Sequence, residues 1–176
     1  MPRVTKVLRT GDARAGRATD TLMLDYDQRQ AQQGFFFTGK GTCVAFDFAE
    51  PPALATDDML VLDDGALIDV VAETEALIEA RISDPAVLAR TTWVLGNRHV
   101  PVKIFANRLR LRRNAEAEAL LAAIGAKTVM LVAPFEPDGA SQHGDHAHHH
   151  GHAHEHHDHE HHDHEHHGHD HDDRKR

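Results

Sequence analysis

Cysteine is nearly absent: Cys43 is the one cysteine in 176 residues. A lone thiol excludes an internal disulfide and fits a reducing compartment, so the expected location is the cytoplasm. No apolar run approaches the roughly 18 residues that span a bilayer, and Met1-Pro2-Arg3-Val4 lacks the apolar stretch of a signal peptide. No membrane partner is therefore expected. There is no basic stripe either. The net charge is −9, of which −6 falls in residues 143–176 and −3 in the rest, and this argues against nucleic acid as a partner. Histidine is missing from the first 142 residues except for His99. With one body histidine, no Ser/His/Asp or Cys/His nucleophile set can be assembled, and the chain is not expected to be an enzyme.

What is abundant lies at the other end. Of 18 histidines, 17 stand in the tail: His143, His146, His148, His149, His150, His152, His154, His156, His157, His159, His161, His162, His164, His166, His167, His169 and His171. They alternate with Asp, Glu and Gly, and His156-His157-Asp158-His159-Glu160 recurs as His161-His162-Asp163-His164-Glu165. Imidazole is the commonest protein ligand of divalent late transition metals, and carboxylates add charge and outer hydrogen bonds. The tail reads as a metal-capturing segment of low selectivity and fast exchange. Protonation of its imidazoles below about pH 6 would release the metal. It has almost nothing apolar to bury after Phe135, so it is expected to be disordered. The competing readings are a neutral low-complexity expansion and a purification tag, although the longest histidine run is only His148-His149-His150.

Ahead of the tail, two patterns follow one another. Residues 21–24, 42–48, 59–62 and 67–71 are β-rich, and Asp63-Asp64-Gly65 between the last two predicts a hairpin, because glycine accepts the positive φ of a tight turn. Pro51-Pro52 marks a loop. These features predict a small all-β domain over 1–73. From Glu75 onward a strand is predicted over 77–82. Asp84-Pro85 then caps and opens a helix, on which Val87, Leu88, Thr91, Val94 and Leu95 recur at helical spacing. Gly96 is placed to end it in a left-handed conformation. Strands over 100–105 and 109–112, a helix from Asn114 closed by Gly125, and a strand over 128–132 complete a β-α-β-β-α-β order. That order is the split βαβ arrangement of ferredoxin-like folds. The expected class is α+β: an all-β domain (1–73), a ferredoxin-like βαββαβ domain (74–138) and a disordered His-rich tail (139–176).

Several other features carry weaker signals. His99 sits in Gly96-Asn97-Arg98-His99-Val100-Pro101, where Pro101 stiffens the helix-to-strand junction. Two readings stand for it: a surface or capping residue, or one half of a metal site shared across a two-fold dimer. The stretch Gly34-Phe35-Phe36-Phe37-Thr38-Gly39-Lys40-Gly41-Thr42 nearly matches a phosphate loop. Its hydroxyl comes one residue late, however, and a strand rather than a helix follows, so nucleotide binding is not expected. The three phenylalanines pack the β core or offer an aromatic to a partner. Cys43 is read as a buried strand residue, with a soft metal ligand as the other option. Trp93 belongs to the core or to an interface. Arg108, Arg110, Arg112 and Arg113 form a solvated strand face or a docking patch for an acidic partner.

The Gly96-Asn97-Arg98-His99 tetrad with Pro101, the Pro134-Phe135-Glu136-Pro137 exit and the His-rich end together resemble the UreE family of urease accessory proteins. The resemblance implies a nickel metallochaperone with a peptide-binding-like β domain, a ferredoxin-like metal domain and a homodimer. In that dimer His99 of each subunit would contribute to an interfacial nickel site. It further implies delivery of Ni2+ cargo to a GTPase partner and the urease activation complex, with Zn2+ or Cu2+ also binding in vitro. Positions where such relatives carry further histidines hold Val94, Arg112, Arg113 and Ala115 here, so His99 alone carries over from the body. The alternative function is nickel or zinc storage or detoxification through the tail, with His99 incidental.

Overall fold

The computed structural model describes residues 1–12 and 16–139; the tail histidines, His143 through His171, lie outside the described residues, as do the expectations placed on them. The first half is built on β1 (Val4–Leu8), β5 (Met59–Leu62), β6 (Leu67–Ala72) and β2 (Asp20–Leu24), which form one sheet in the order β1-β5-β6-β2. The predicted hairpin joins β5 to β6. Gly65 takes φ +84°, and the Leu62 amide donates to Ala66 O at 2.9 Å across the turn. A second, two-stranded sheet pairs β3 (Gln33–Phe37) with β4 (Cys43–Asp47). Leu22, Leu24, Val44, Phe46, Leu60 and Val70 lie in the core between them.

The phenylalanine triplet is divided by the two-residue period of β3. Phe36 turns inward against Phe46, with ring centroids 4.6 Å apart, whereas Phe35 and Phe37 remain 66% and 69% exposed. Thr38 to Thr42 is a hairpin turn leading into β4, so no helix N-terminus faces the near-phosphate-loop sequence. Cys43 is half-buried on β4, with its Sγ 3.6 Å from Met1 Sδ.

The all-β expectation for this half needs one correction, because a short helix, α1 (Tyr26–Gln30), follows β2. It is set by a capping box. The Asp25 carboxylate accepts from the Gln28 amide at 2.8 Å, and the Gln28 side chain accepts from the Asp25 amide at 3.0 Å. Five residues are too few for a hydrophobic period to reveal, although the Asp-x-x-Gln signature is in the sequence.

The second half runs β7 (Thr74–Arg81), α2 (Pro85–Asn97), β8 (Lys103–Phe105), β9 (Arg108–Arg112), α3 (Ala115–Ala123) and β10 (Lys127–Pro134). This is the element order expected, with β8 shorter than predicted because Val100 and Pro101 belong to the helix exit. The sheet order is β10-β7-β9-β8, and every neighbouring pair is antiparallel. Ile78 and Ala80 of β7 and Leu109 and Leu111 of β9 face Leu88 and Leu95 of α2 and Ala117 and Leu121 of α3. Both helices therefore cover one face of the sheet. Among the described residues no helix is long and apolar enough to cross a membrane.

The two halves are joined by polar contacts centred on α1. Arg29 is only 1% exposed; its guanidinium donates to Leu54 O at 3.2 Å and, across the junction, to Phe135 O. Burial lowers the pKa of Arg29, and the carboxylates of Glu136 and Glu75 act against that shift. Tyr26 stacks edge-on against Phe135 at 5.5 Å, and its amide donates to Glu75 at 2.9 Å. Arg112 of β9 grips Asp27 with both terminal nitrogens, at 2.8 and 2.9 Å. Replacing Arg29 with alanine leaves two buried carbonyls without their donor. The expected cost is about 3 kcal/mol, read as a lower denaturation midpoint in urea. A loss below about 1 kcal/mol would show that the junction does not depend on this side chain.

Candidate metal site

The candidate site is made by the way α2 ends. Its start is ordinary: the Asp84 carboxylate accepts from Ala86 N at 2.8 Å, Pro85 fills the first turn, and Leu88, Thr91 and Leu95 are buried at helical spacing. The end differs from expectation. Gly96 and Asn97 remain helical, and the left-handed residue is His99, with φ +55°. His99 N donates to Gly96 O at 2.9 Å, and Val100 N reaches back to Leu95 O at 3.0 Å. These two bonds form a Schellman stop. α3 ends in the same way, with Gly125 N on Ala122 O and Ala126 N on Leu121 O, both at 3.0 Å, and with Gly125 at φ +69°. The stop places an apolar residue over the last buried turn. Val100 packs there on the core that contains Leu95, and Ala126 does the same for α3. The residue just before it must turn left-handed, which is Gly125 in one helix and His99 in the other.

His99 is exposed, and among the described residues its imidazole has no hydrogen bond or ion pair. Two cavities open beside it. One, of about 470 Å³, is lined by Arg98, Arg112, Arg113 and Asn114 along with His99, Val100 and Pro101. The other, of about 330 Å³, brings in Tyr26 and Gln30 from α1 and Pro137, Asp138 and Gly139 from the exit. The exit is anchored. The Asp138 amide donates to Val102 O at 2.9 Å, and its carboxylate accepts from Lys103 Nζ at 2.8 Å and Ile104 N at 2.7 Å. Burial alone would raise the Asp138 pKa, but Lys103 and the Ile104 amide outweigh it and hold the carboxyl below its usual range.

Of the predicted ligands, the described structure places His99 alone. Cys43 lines neither cavity, and among the described residues no three His, Cys, Asp or Glu side chains gather into a ligand set. Trp93, on α2, is 68% exposed and so is not a core residue of this chain. Sequence reasoning missed Tyr26, Gln30 and Asp138 as neighbours of His99, since they arrive from distant parts of the chain. The capping box was the one local sign of the helix that brings the first two.

The sequence model of "UreE urease accessory protein, N-terminal domain" matches residues 3–73, and that of "UreE urease accessory protein, C-terminal domain" matches residues 75–173. The chain belongs to the UreE urease accessory family. Relatives named "Urease accessory protein UreE" include one from Bradyrhizobium sp. (strain BTAi1), 44% identical over 153 residues, or 86% of this chain and 73% of that protein. One from Rhodopseudomonas palustris (strain BisB18) is 44% identical over 124 residues, or 70% of this chain and 59% of the relative. A third, from Bradyrhizobium sp. (strain ORS 278), is 44% identical over 134 residues, or 76% of this chain and 63% of the relative. The chain thus spans somewhat under two thirds of the length of two of these relatives. UreE proteins are accessory proteins rather than enzymes, and the chain is classed with them.

A left-handed conformation suits glycine and costs other residues about 1 kcal/mol or more. His99→Gly should therefore raise the stability of the metal-free protein by about 0.5–1 kcal/mol, seen as a higher Tm. His99→Ala keeps the strain and should give no gain. Equal Tm values for the two variants would show that His99 is not held against its preference.

Proposed function

We propose that this UreE-family protein is a nickel metallochaperone for urease maturation, acting in the cytoplasm as a homodimer. In this reading the tail captures Ni2+ and His99 presents it. The ion then passes through a GTPase partner to the urease active site. The observation that carries the reading is the placement of His99: an imidazole without a partner among the described residues, on a hydrogen-bonded corner, held in a backbone conformation that glycine would fill at lower cost. One imidazole cannot hold a divalent ion, and among the described residues no other donor set accompanies it. A two-fold axis at this corner would set His99 against His99 of a second copy. Two such ligands hold an ion loosely, as a carrier requires, because a closed cage would not release its cargo.

Further support comes from the exit. The last described residue, Gly139, lines a cavity with His99, and the first tail histidine, His143, follows four residues later. The tail histidines, from His143 to His171, serve as the capturing store. We read the first half (1–73) as a peptide-binding-like domain and the second (74–138) as ferredoxin-like, because its order β10-β7-β9-β8 follows from a split βαβ with a hairpin. Nickel as the cargo rests on the family resemblance. Imidazole also accepts Zn2+ and Cu2+ in vitro.

The density of tail histidines equally favours a storage protein, and three proteins separate the two readings: the full chain, a truncation after Ser141, and His99→Ala. A chaperone keeps about one Ni2+ per two chains after truncation, seen by calorimetric titration, and loses that ion and urease activation with His99→Ala. Storage alone predicts that truncation abolishes all binding and that His99→Ala activates urease as well as the unaltered chain does.

A further inference from the structure

The helix-free face of the second sheet carries a charge pattern that works against its own stability. Directly opposed residues of antiparallel strands share a face, and the register sets Lys127 opposite Arg81 and Arg81 opposite Arg108. Three cations thus lie side by side across three strands spaced about 4.8 Å apart. Like charges in this relation destabilise a sheet. Glu79 is the carboxylate at hand, and it is shared by Arg110 at 2.9 Å, Arg108 at 3.5 Å and Arg81 at 3.8 Å. Its pKa is lowered, chiefly by the Arg110 hydrogen bond, so it stays ionised. One negative charge against three leaves a surplus, and Lys127 has no ion pair among the described residues to offset its own charge.

The row is also accessible, and its Arg108 is restrained. The Arg81 and Arg108 side chains are 65% and 37% exposed. The Phe105 ring lies 4.7 Å from the Arg108 guanidinium and 5.2 Å from that of Arg110, which restrains both. Val129, opposite Glu79 in register and 55% exposed, adds an apolar edge.

We propose that this face docks an acidic polypeptide segment of a partner protein, whose carboxylates engage Lys127, Arg81 and Arg108. A carboxylate-bearing chain fits better than nucleic acid. Phe105 is already covered by arginines and offers no ring for a base, and Val129 suits an apolar side chain beside the acids. This surface is independent of His99 and of the metal reading.

The test uses the full chain and a fluorescent oligoglutamate peptide, with binding followed by anisotropy at low and physiological salt. Arg81→Glu combined with Lys127→Glu should weaken binding by about ten-fold or more. Lys6→Glu, an exposed reversal on β1, should leave it unchanged. Lys127→Glu alone should weaken binding while holding or raising Tm, since it replaces a repulsion with an attraction to Arg81. A purely structural role for the row would instead lower Tm. The proposal is overturned if Lys6→Glu is as harmful as the row reversal, if an oligonucleotide of matched charge binds as tightly as the peptide, or if the row reversal changes nothing.

Discussion

The burial of Val100 over Leu95 decides where α2 stops, and with it the direction of the one body imidazole. A Schellman stop needs an apolar residue folded back on the last buried turn, and the residue before it must turn left-handed. Gly96 comes too early to serve, because the chain still has Leu95 to cover and the next apolar residue is Val100. The turn therefore falls on His99, and Pro101 prevents the helix from continuing. α3 solves the same geometric problem with Gly125, at no conformational cost. Histidine, where the companion helix has glycine, is a local departure from the most stable choice, as is common where a side chain is retained for its chemistry.

The corner would be of little use if its surroundings moved independently. The first half holds them in place through α1. Arg29, Tyr26 and Asp27 reach the exit strand and β9, while Tyr26 and Gln30 line a cavity with His99. Asp138, tied to Lys103 and to the β8 backbone, fixes the path of the chain as it passes the same cavity. The candidate site is thus a joint product of both halves, although His99, the one histidine among the described residues, belongs to the second.

Charge is distributed with similar economy. Where Arg112 meets Asp27 and Glu75, the pairing closes the junction between the halves. On the same face, Arg81 and Arg108 share Glu79 with Arg110, Lys127 has no ion pair among the described residues, and a surplus of positive charge remains. One sheet face therefore serves as internal cement at one end and as an unneutralised surface at the other.

Much of this was written in local sequence. Period-two alternation, Asp63-Asp64-Gly65, the Asp84-Pro85 start and the Asn114 cap each act within a few residues, and the strands and helices they mark are present. The histidine tail and the Gly96-Asn97-Arg98-His99 tetrad, which led to the family, are equally local. Strands β1 and β3 were not legible, since their short, mixed sequences become strands only when β5 and β4 supply partners. Nor was the position of the helix stop, because that depends on which apolar residue the core accepts. The neighbours of His99, the burial of Arg29 and the cationic row across β10, β7 and β9 were settled by tertiary structure alone. Residues far apart in the chain meet only when two sheets, a junction and a strand register are all in place. Sequence determined which chemical groups are available; packing determined which of them face one another.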